Sequence, residues 1–229
     1  MTPSFSGIIF DLDGTLIDSF DSIRESLHHV CGLFGVRPLP DSEVKAMIGP
    51  PIGNSFKRIF GAERAEEALA AFRKKYEQLY LKRTRLVEGA AETLKVLREK
   101  GYRLGLSSNK RGLYVRRLAA HFGLDGLFVR ILGADDGFLS KPETESLMAI
   151  LDAMGLPPEE VLLVGDSPLD IEAGRRAGLT VWAVTTGYSS PESLKEARPD
   201  RMIESIRVLG ELPRAKLRSP RPSRLRGEP

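Results

Sequence analysis

A chain of 229 residues, 41% hydrophobic and 28% charged, has the composition of an ordinary globular protein, either one large domain or a domain with a second one inserted. Its formal net charge of +3 does not point to nucleic acid, because Arg214, Lys216, Arg218, Arg221, Arg224 and Arg226 all fall in residues 213–229 with Glu228, and the remainder carries −2. The single cysteine, Cys31, excludes an intramolecular disulfide, and no apolar run is long enough to span a bilayer, so with no signal-like segment ahead of the first strand the expected location is the cytoplasm.

In chain order, "GIIF" at residues 7–10 reads as a buried strand that breaks into two acids one residue apart, Asp11 and Asp13, followed by Gly14 and Thr15. From about Leu16 to Arg85 no strand is evident and successive helices are expected. Ala65, Leu69, Phe72, Tyr76 and Leu79 recur at spacings of four and three, which places them on one helical face and reads as packing. "RPLPDSEVKAMIGPPIGNSF" interrupts these helices with Pro and Gly, and Asp41 or Ser42 is placed to cap the short helix holding Val44 and Met47. Cys31 and the three histidines, His28, His29 and His121, lie on helical patterns and read as core or surface residues.

From Val87 the pattern alternates: helix "AAETLKVLREKG", strand "YRLGLSS", helix "GLYVRRLAAHFG", strand "FVRILGA", helix "TESLMAILDAMG", strand "EVLLVGD", helix "LDIEAGRRAG", strand "TVWAVTTG". Short apolar strands between amphipathic helices predict a parallel sheet covered on both faces. Gly101, Gly123, Gly155 and Gly178 stand where helices must close. The fold class is α/β, a doubly wound parallel-sheet (Rossmann-like) core with an inserted all-helical cap. The core is expected over 1–15 and 88–212, the cap over 16–87, and a basic, disordered tail over 213–229.

In an open parallel sheet, ligands bind at the carboxyl ends of the strands. Asp11 and Asp13 follow the first strand, Ser107, Ser108 and Asn109 the second, Lys141 the third, and Asp166 the fourth, so four separate stretches converge on one place. Gathered carboxylates repel one another unless a cation compensates them, and an all-oxygen site with neither His nor Cys suits Mg²⁺. A phosphate bridging to that ion and accepting from Lys141 and Ser108 completes the charge arrangement of phosphoryl transfer. Gly14 permits a sharp turn that aims both early acids at the phosphorus, with Asp11 as nucleophile and Asp13 as proton donor and acceptor.

"DLDGTLIDS", Ser108 in "SSNK", Lys141-Pro142 and "VGDSPLDIEAGRRAG" together resemble, in order and spacing, the four motifs of the haloacid dehalogenase superfamily, over about residues 6–212 and most closely its phosphoglycolate phosphatase-like branch. The resemblance implies Mg²⁺-dependent phosphomonoester hydrolysis through an aspartyl-phosphate beneath a mobile cap. It assigns Asp11, Asp13, Ser108 and Lys141 to catalysis, and Asp11, Asp13 and Asp166 to the metal, with Asp170 behind them. Thr15 and Asn109 become supporting substrate-binding positions. In the cap, "IGPPIGNSFKRI" resembles the stretch that faces the core in that branch, which brings Lys57 and Arg58 to the substrate.

Asp13 sets the chain apart from the dehalogenating members of the superfamily, which lack the second acid. The stretch after the first motif, Phe20 to Ile23, lacks the His that sugar-phosphate mutase members carry there. No cap lysine stands out as the Schiff-base residue of a phosphonate-cleaving relative. The expected partner is a small phosphorylated metabolite, phosphoglycolate-like, with pyrophosphate, nucleoside monophosphates and small sugar phosphates as alternatives and a catalytically silent binding protein as the non-enzyme reading. No specific nucleic acid is expected, and the oligomeric state stays open.

Overall fold

The computed structural model describes residues 5–215. Residues 216–229, most of the predicted basic tail, lie outside the described residues. Six strands form one parallel sheet in the order β5-β4-β1-β6-β7-β8, where β1 is Gly7–Phe10, β4 Arg103–Ser107, β5 Phe128–Leu132, β6 Val161–Gly165, β7 Thr180–Val184 and β8 Arg201–Ile203. The chain builds outward from β1 to one edge through β4 and β5, then returns to the other side of β1 with β6. The reversal of strand order between β1 and β6 opens a crevice at their carboxyl ends.

Register brings those ends together. Phe10 pairs with Leu106 on β4 and with Val164 on β6, so the residues just past each strand, Asp11, Ser108 and Asp166, emerge side by side. Every residue of β1 and β6 is buried, with Ile8, Phe10, Leu162 and Val164 toward one face and Ile9, Val161 and Leu163 toward the other. The first face is covered by α5 (Ala90–Glu99) and α6 (Gly112–His121) through Leu94, Leu97, Val115 and Leu118; the second by α7 (Glu145–Met154) and α8 (Pro168–Arg176) through Leu147, Ile150, Leu151 and Ile171. This two-sided covering is why the strands read as continuous apolar runs. The four helix-closing glycines all have positive φ, as expected.

The chain leaves the core after β1 through β2 (Ile17–Asp18) and re-enters through β3 (Arg85–Leu86), which pair antiparallel, Ile17 with Leu86 and Asp18 with Arg85. This corrects the expectation of an insert free of strands. Two-residue strands carry no alternation, so only the pairing of segments 68 residues apart reveals them. Between them lie α1 (Phe20–Leu33), α2 (Asp41–Ala46), α3 (Ile52–Phe60) and α4 (Ala65–Arg83). Their core is aromatic: Phe56 packs on Phe60 and Phe72, and Phe72 stacks on Tyr76 with ring centroids 5.6 Å apart. On α4 the buried stripe is Ala65, Ala68, Leu69, Phe72, Tyr76 and Tyr80, and it closes on Tyr80 instead of Leu79 because the Tyr80 ring meets Tyr114 of α6. Cys31 is buried and free, as expected.

Two further elements escaped the sequence reading, α9 (Pro191–Ala197) and the edge strand β8. α9 begins where Ser190 Oγ accepts from the Ser193 backbone N–H, and a three-residue strand is too short for periodicity to show. The boundary placed at 213 also moves, since the Tyr102 hydroxyl donates to the Pro213 carbonyl and the Ala215 N–H to the Lys100 carbonyl. No helix among the described residues is long and apolar enough to cross a membrane.

Candidate active site

The turn after β1 explains how adjacent acids share one site. The Leu12 carbonyl accepts from the N–H groups of Leu16 and Ile17 at 2.9 and 3.0 Å, the Gly14 N–H donates to Ile17 O at 2.8 Å, and Gly14 holds φ +86°. With the strand broken this tightly, Leu12 turns into the core while Asp11 and Asp13 both face the same cavity. Gly14 is needed for space as well as conformation: a Cβ there would fall 2.2 Å from Asp166 Oδ2.

Lys141 ties the site together. Its Nζ, 4% exposed with its residue, donates to Asp11 Oδ1 and Asp170 Oδ1, each at 2.6 Å, and to the Ser107 carbonyl at 3.0 Å. Asn109 fixes the Lys141 backbone, accepting from its N–H at 2.8 Å and donating to its carbonyl at 3.1 Å. Asp170 also completes a capping box with Ser167 at the start of α8, so one carboxylate closes a helix and faces the ammonium. Asp166 accepts from the Tyr188 N–H at 2.8 Å and lies 3.5 Å from Thr15 Oγ1.

Asp11, Asp166 and Asp170 each offer an oxygen within 4.8 Å of the others. Asp13 is not among them: its carboxylate accepts from both contacts of Lys110 Nζ, at 2.8 and 2.9 Å, and from Ser19 Oγ at 2.5 Å. Within the site, four carboxylates therefore face two ammonium groups, and the imbalance shows in the protonation of Asp11 and Asp166. Burial, together with Asp170 and Asp13 and against the pull of Lys141, pushes the Asp11 carboxyl up to about 7. Burial and the neighbouring Asp11 and Asp170 push Asp166 well above the ordinary carboxylate range. Burial works to neutralise Lys141, but Asp11 and Asp170 overcome it and hold the ammonium more firmly protonated than usual. A buried, all-oxygen set with excess negative charge fits Mg²⁺.

Above the carboxylates, between sheet and cap, lies a cavity of about 130 Å³. Asp11, Asp13, Ser108, Asn109 and Lys110 form its floor, and Ile23, Met47, Ile48, Leu69, Phe72 and Tyr76 its cap side. The α4 stripe read as packing thus also lines the site. Cap and core meet around it where Asn109 Nδ2 donates to the Gly49 carbonyl at 2.9 Å and the Tyr114 ring abuts those of Tyr76 and Tyr80.

The sequence-derived residues divide accordingly. Asp11, Asp13, Ser108, Lys141, Asp166 and Asp170 converge. Thr15 is fully buried beside Asp166 and does not line the cavity, and Asn109 lines it with its amide engaged by Gly49 and Lys141. Lys57 and Arg58 are exposed and away from the cavity, because α3 turns Phe56 and Phe60 inward and leaves these two outside. Lys110 was missed. Its place in "SSNK" beside Ser108 was the available signal, but only the fold shows that it pairs with Asp13, 97 positions away.

A family profile described as haloacid dehalogenase-like hydrolase matches residues 8–184. The chain belongs to the haloacid dehalogenase-like hydrolase family. The matched span of this hydrolase runs from β1 to the end of β7 and contains every converging residue. Among similar proteins, the pyrophosphatase PpaX of Halalkalibacterium halodurans is 33% identical over 199 residues, 87% of this chain and 92% of that protein. The phosphoglycolate phosphatase of Haemophilus influenzae is 30% identical over 220 residues, 91% and 98% of the two chains. A crystal structure of a predicted phosphoglycolate phosphatase from Haemophilus somnus superposes with a TM-score of 0.81 at 28% identity, covering 91% of this chain and 98% of that one.

Proposed function

We propose that this haloacid dehalogenase-like hydrolase is a Mg²⁺-dependent phosphatase that hydrolyses a small phosphomonoester through an aspartyl-phosphate on Asp11. The observation that carries the reading is the buried Asp11–Lys141–Asp170 arrangement with Asp166 beside it, opening onto a cavity that also receives Asp13 and Ser108. The similarity to a pyrophosphatase and a phosphoglycolate phosphatase supports hydrolysis of a phosphoryl group.

Asp11, Asp166 and Asp170 would hold the Mg²⁺, which when bound supplies positive charge to the phosphoryl oxygens and suppresses the repulsion among the carboxylates. Lys141 and Ser108 orient the phosphate against Asp11, whose free carboxylate oxygen attacks phosphorus. Asp13 gives a proton to the departing alkoxide, and in the second step takes one from the water that cleaves the acyl phosphate. Lys110 and Ser19 hold the Asp13 side chain toward the cavity for both transfers.

The test is phosphate release from a panel of phosphomonoesters with Mg²⁺ and with EDTA, using Asp11→Asn as the blank. Turnover that needs Mg²⁺ and falls by roughly 10⁴-fold or more in the variant is expected. A variant retaining wild-type turnover would exclude the covalent route.

A further inference from the structure

We propose that the cavity selects phosphomonoesters whose leaving group is a compact apolar body, a short branched chain or a single ring, over a second phosphate or a whole nucleoside. The inference rests on the phosphatase reading and narrows it to a substrate class.

With the phosphate held on the floor by Asp11, Ser108 and Lys141, the leaving group must extend toward the cap. That side is hydrocarbon: Ile23 from α1, Met47 and Ile48 after α2, Ile52 from α3, and Leu69 and Phe72 from α4. The polar side chains it contributes are two. Tyr76 Oη is buried and is the side-chain polar atom without a hydrogen-bond partner among the described residues. Arg73, exposed on α4, lines the cavity and has no ion pair among the described residues.

The other cations at the cavity are already engaged. Lys110 is bound by both oxygens of Asp13, and Arg111 by Asp135 at 3.0 Å. A leaving phosphate would therefore place its charge among Ile, Met, Leu and Phe side chains with a single exposed guanidinium for compensation, and an ion buried without partners is strongly disfavoured. An apolar body gains there instead, since each methylene removed from water favours binding. A nucleoside is disfavoured on the same ground, since its ribose hydroxyls and base would meet hydrocarbon with only the Tyr76 hydroxyl and the Arg73 guanidinium to bond them.

The experiment compares kcat/KM, with Mg²⁺, for ethyl phosphate, benzyl phosphate, pyrophosphate and adenosine 5′-monophosphate. Ethanol and benzyl alcohol are leaving groups of similar basicity, so their ratio reports contact with the cavity and not the chemical barrier. Benzyl phosphate is expected to exceed ethyl phosphate by roughly 30-fold or more, to exceed the nucleotide, and to show a lower KM than pyrophosphate, whose far less basic leaving group makes its rate no measure of the cavity. Ile52→Trp, at a half-buried position that admits a larger ring, should fill the space and collapse the benzyl-to-ethyl ratio by about tenfold. A ratio near one in the wild type, a ratio unmoved by Ile52→Trp, a faster reaction with the nucleotide, or a lower KM for pyrophosphate overturns the selectivity while leaving the phosphatase reading standing. Release no greater than that of Asp11→Asn on all four compounds removes both.

Discussion

The floor and the cap side of the same cavity are built on opposite principles. On the floor, every carboxylate has named partners, and four acids and two lysines are held in a lattice of short hydrogen bonds. Across from it, the cap presents hydrocarbon, with one buried hydroxyl lacking a partner and the exposed guanidinium of Arg73. The floor's residues come from strand ends fixed by the register of a buried parallel sheet, whereas the cap's come from helices joined to the core by a two-residue ribbon. The difference teaches that charge and apolar surface are supplied separately here: the carboxyl ends of buried parallel strands position the charges, and a separately packed helical layer supplies the wall that, on the proposed reading, sorts what is attached to the phosphate.

The largest expected effect falls on the floor's charge balance. Lys141→Ala leaves Asp11 and Asp170 without their shared ammonium, and breaking a buried pair in this way costs about 3–5 kcal/mol. Urea denaturation in EDTA should show that loss, larger at pH 8 than at pH 5 because Asp11, whose carboxyl is pushed up to about 7 in the folded protein, is ionised at the higher pH. A variant as stable as wild type at both values would mean that the floor is not held together by charge.

Asp13→Asn probes the floor's proton chemistry. Turnover of an alkyl phosphate should fall by about 10²–10⁴-fold, with a much smaller loss on an activated aryl phosphate whose leaving group needs no proton. Equal losses on both would take the proton role away from Asp13.

Metal binding sharpens the contrast further. The folded Asp11 value of about 7 lies above the ordinary 3.8, so the metal-free folded state binds more protons than the unfolded chain between those values and loses stability as pH rises through them. Mg²⁺ should therefore raise Tm more at pH 8 than at pH 5, with a stabilisation of about 3 kcal/mol at a hundredfold excess over Kd; an equal shift at both values in differential scanning fluorimetry would contradict the assignment of Asp11 to the metal. The smallest effect belongs to the cap's outer face. Charge reversal at Lys57 or Arg58 should leave the substrate ranking within about twofold, and a reordered ranking would bring α3 back into the site.

Much of the floor was readable from local signals. An apolar run ending in paired acids and Gly14, Lys141 in the loop that leaves a further strand, and Asp166 just past another, point to one end of a parallel sheet without any knowledge of contacts. Lys110 was not readable, because a lysine in a loop has no local mark distinguishing solvent from a carboxylate 97 residues earlier. Thr15 stands in the first motif yet turns into the core beside Asp166, and Asp170 serves helix capping and the acidic cluster at once, so neither role excluded the other. The cap misled in the opposite direction: cations near a Gly-Pro break suggested a binding face, but the buried aromatics of α3 decided which way that helix turned.

By itself the sequence determined the alternation of strand and helix, the helical insert after β1, and the acids and lysine at the strand ends, because these are properties of neighbouring residues: period, turn chemistry and strand length. Only the tertiary structure decided that Asp13 pairs with Lys110 and stands apart from the acidic cluster, that β2 and β3 join the insert to the core, and that Leu69, Phe72 and Tyr76 face the reacting groups. Those facts depend on which surfaces meet when distant segments pack, and the burial that makes a charge need a partner exists only once they have.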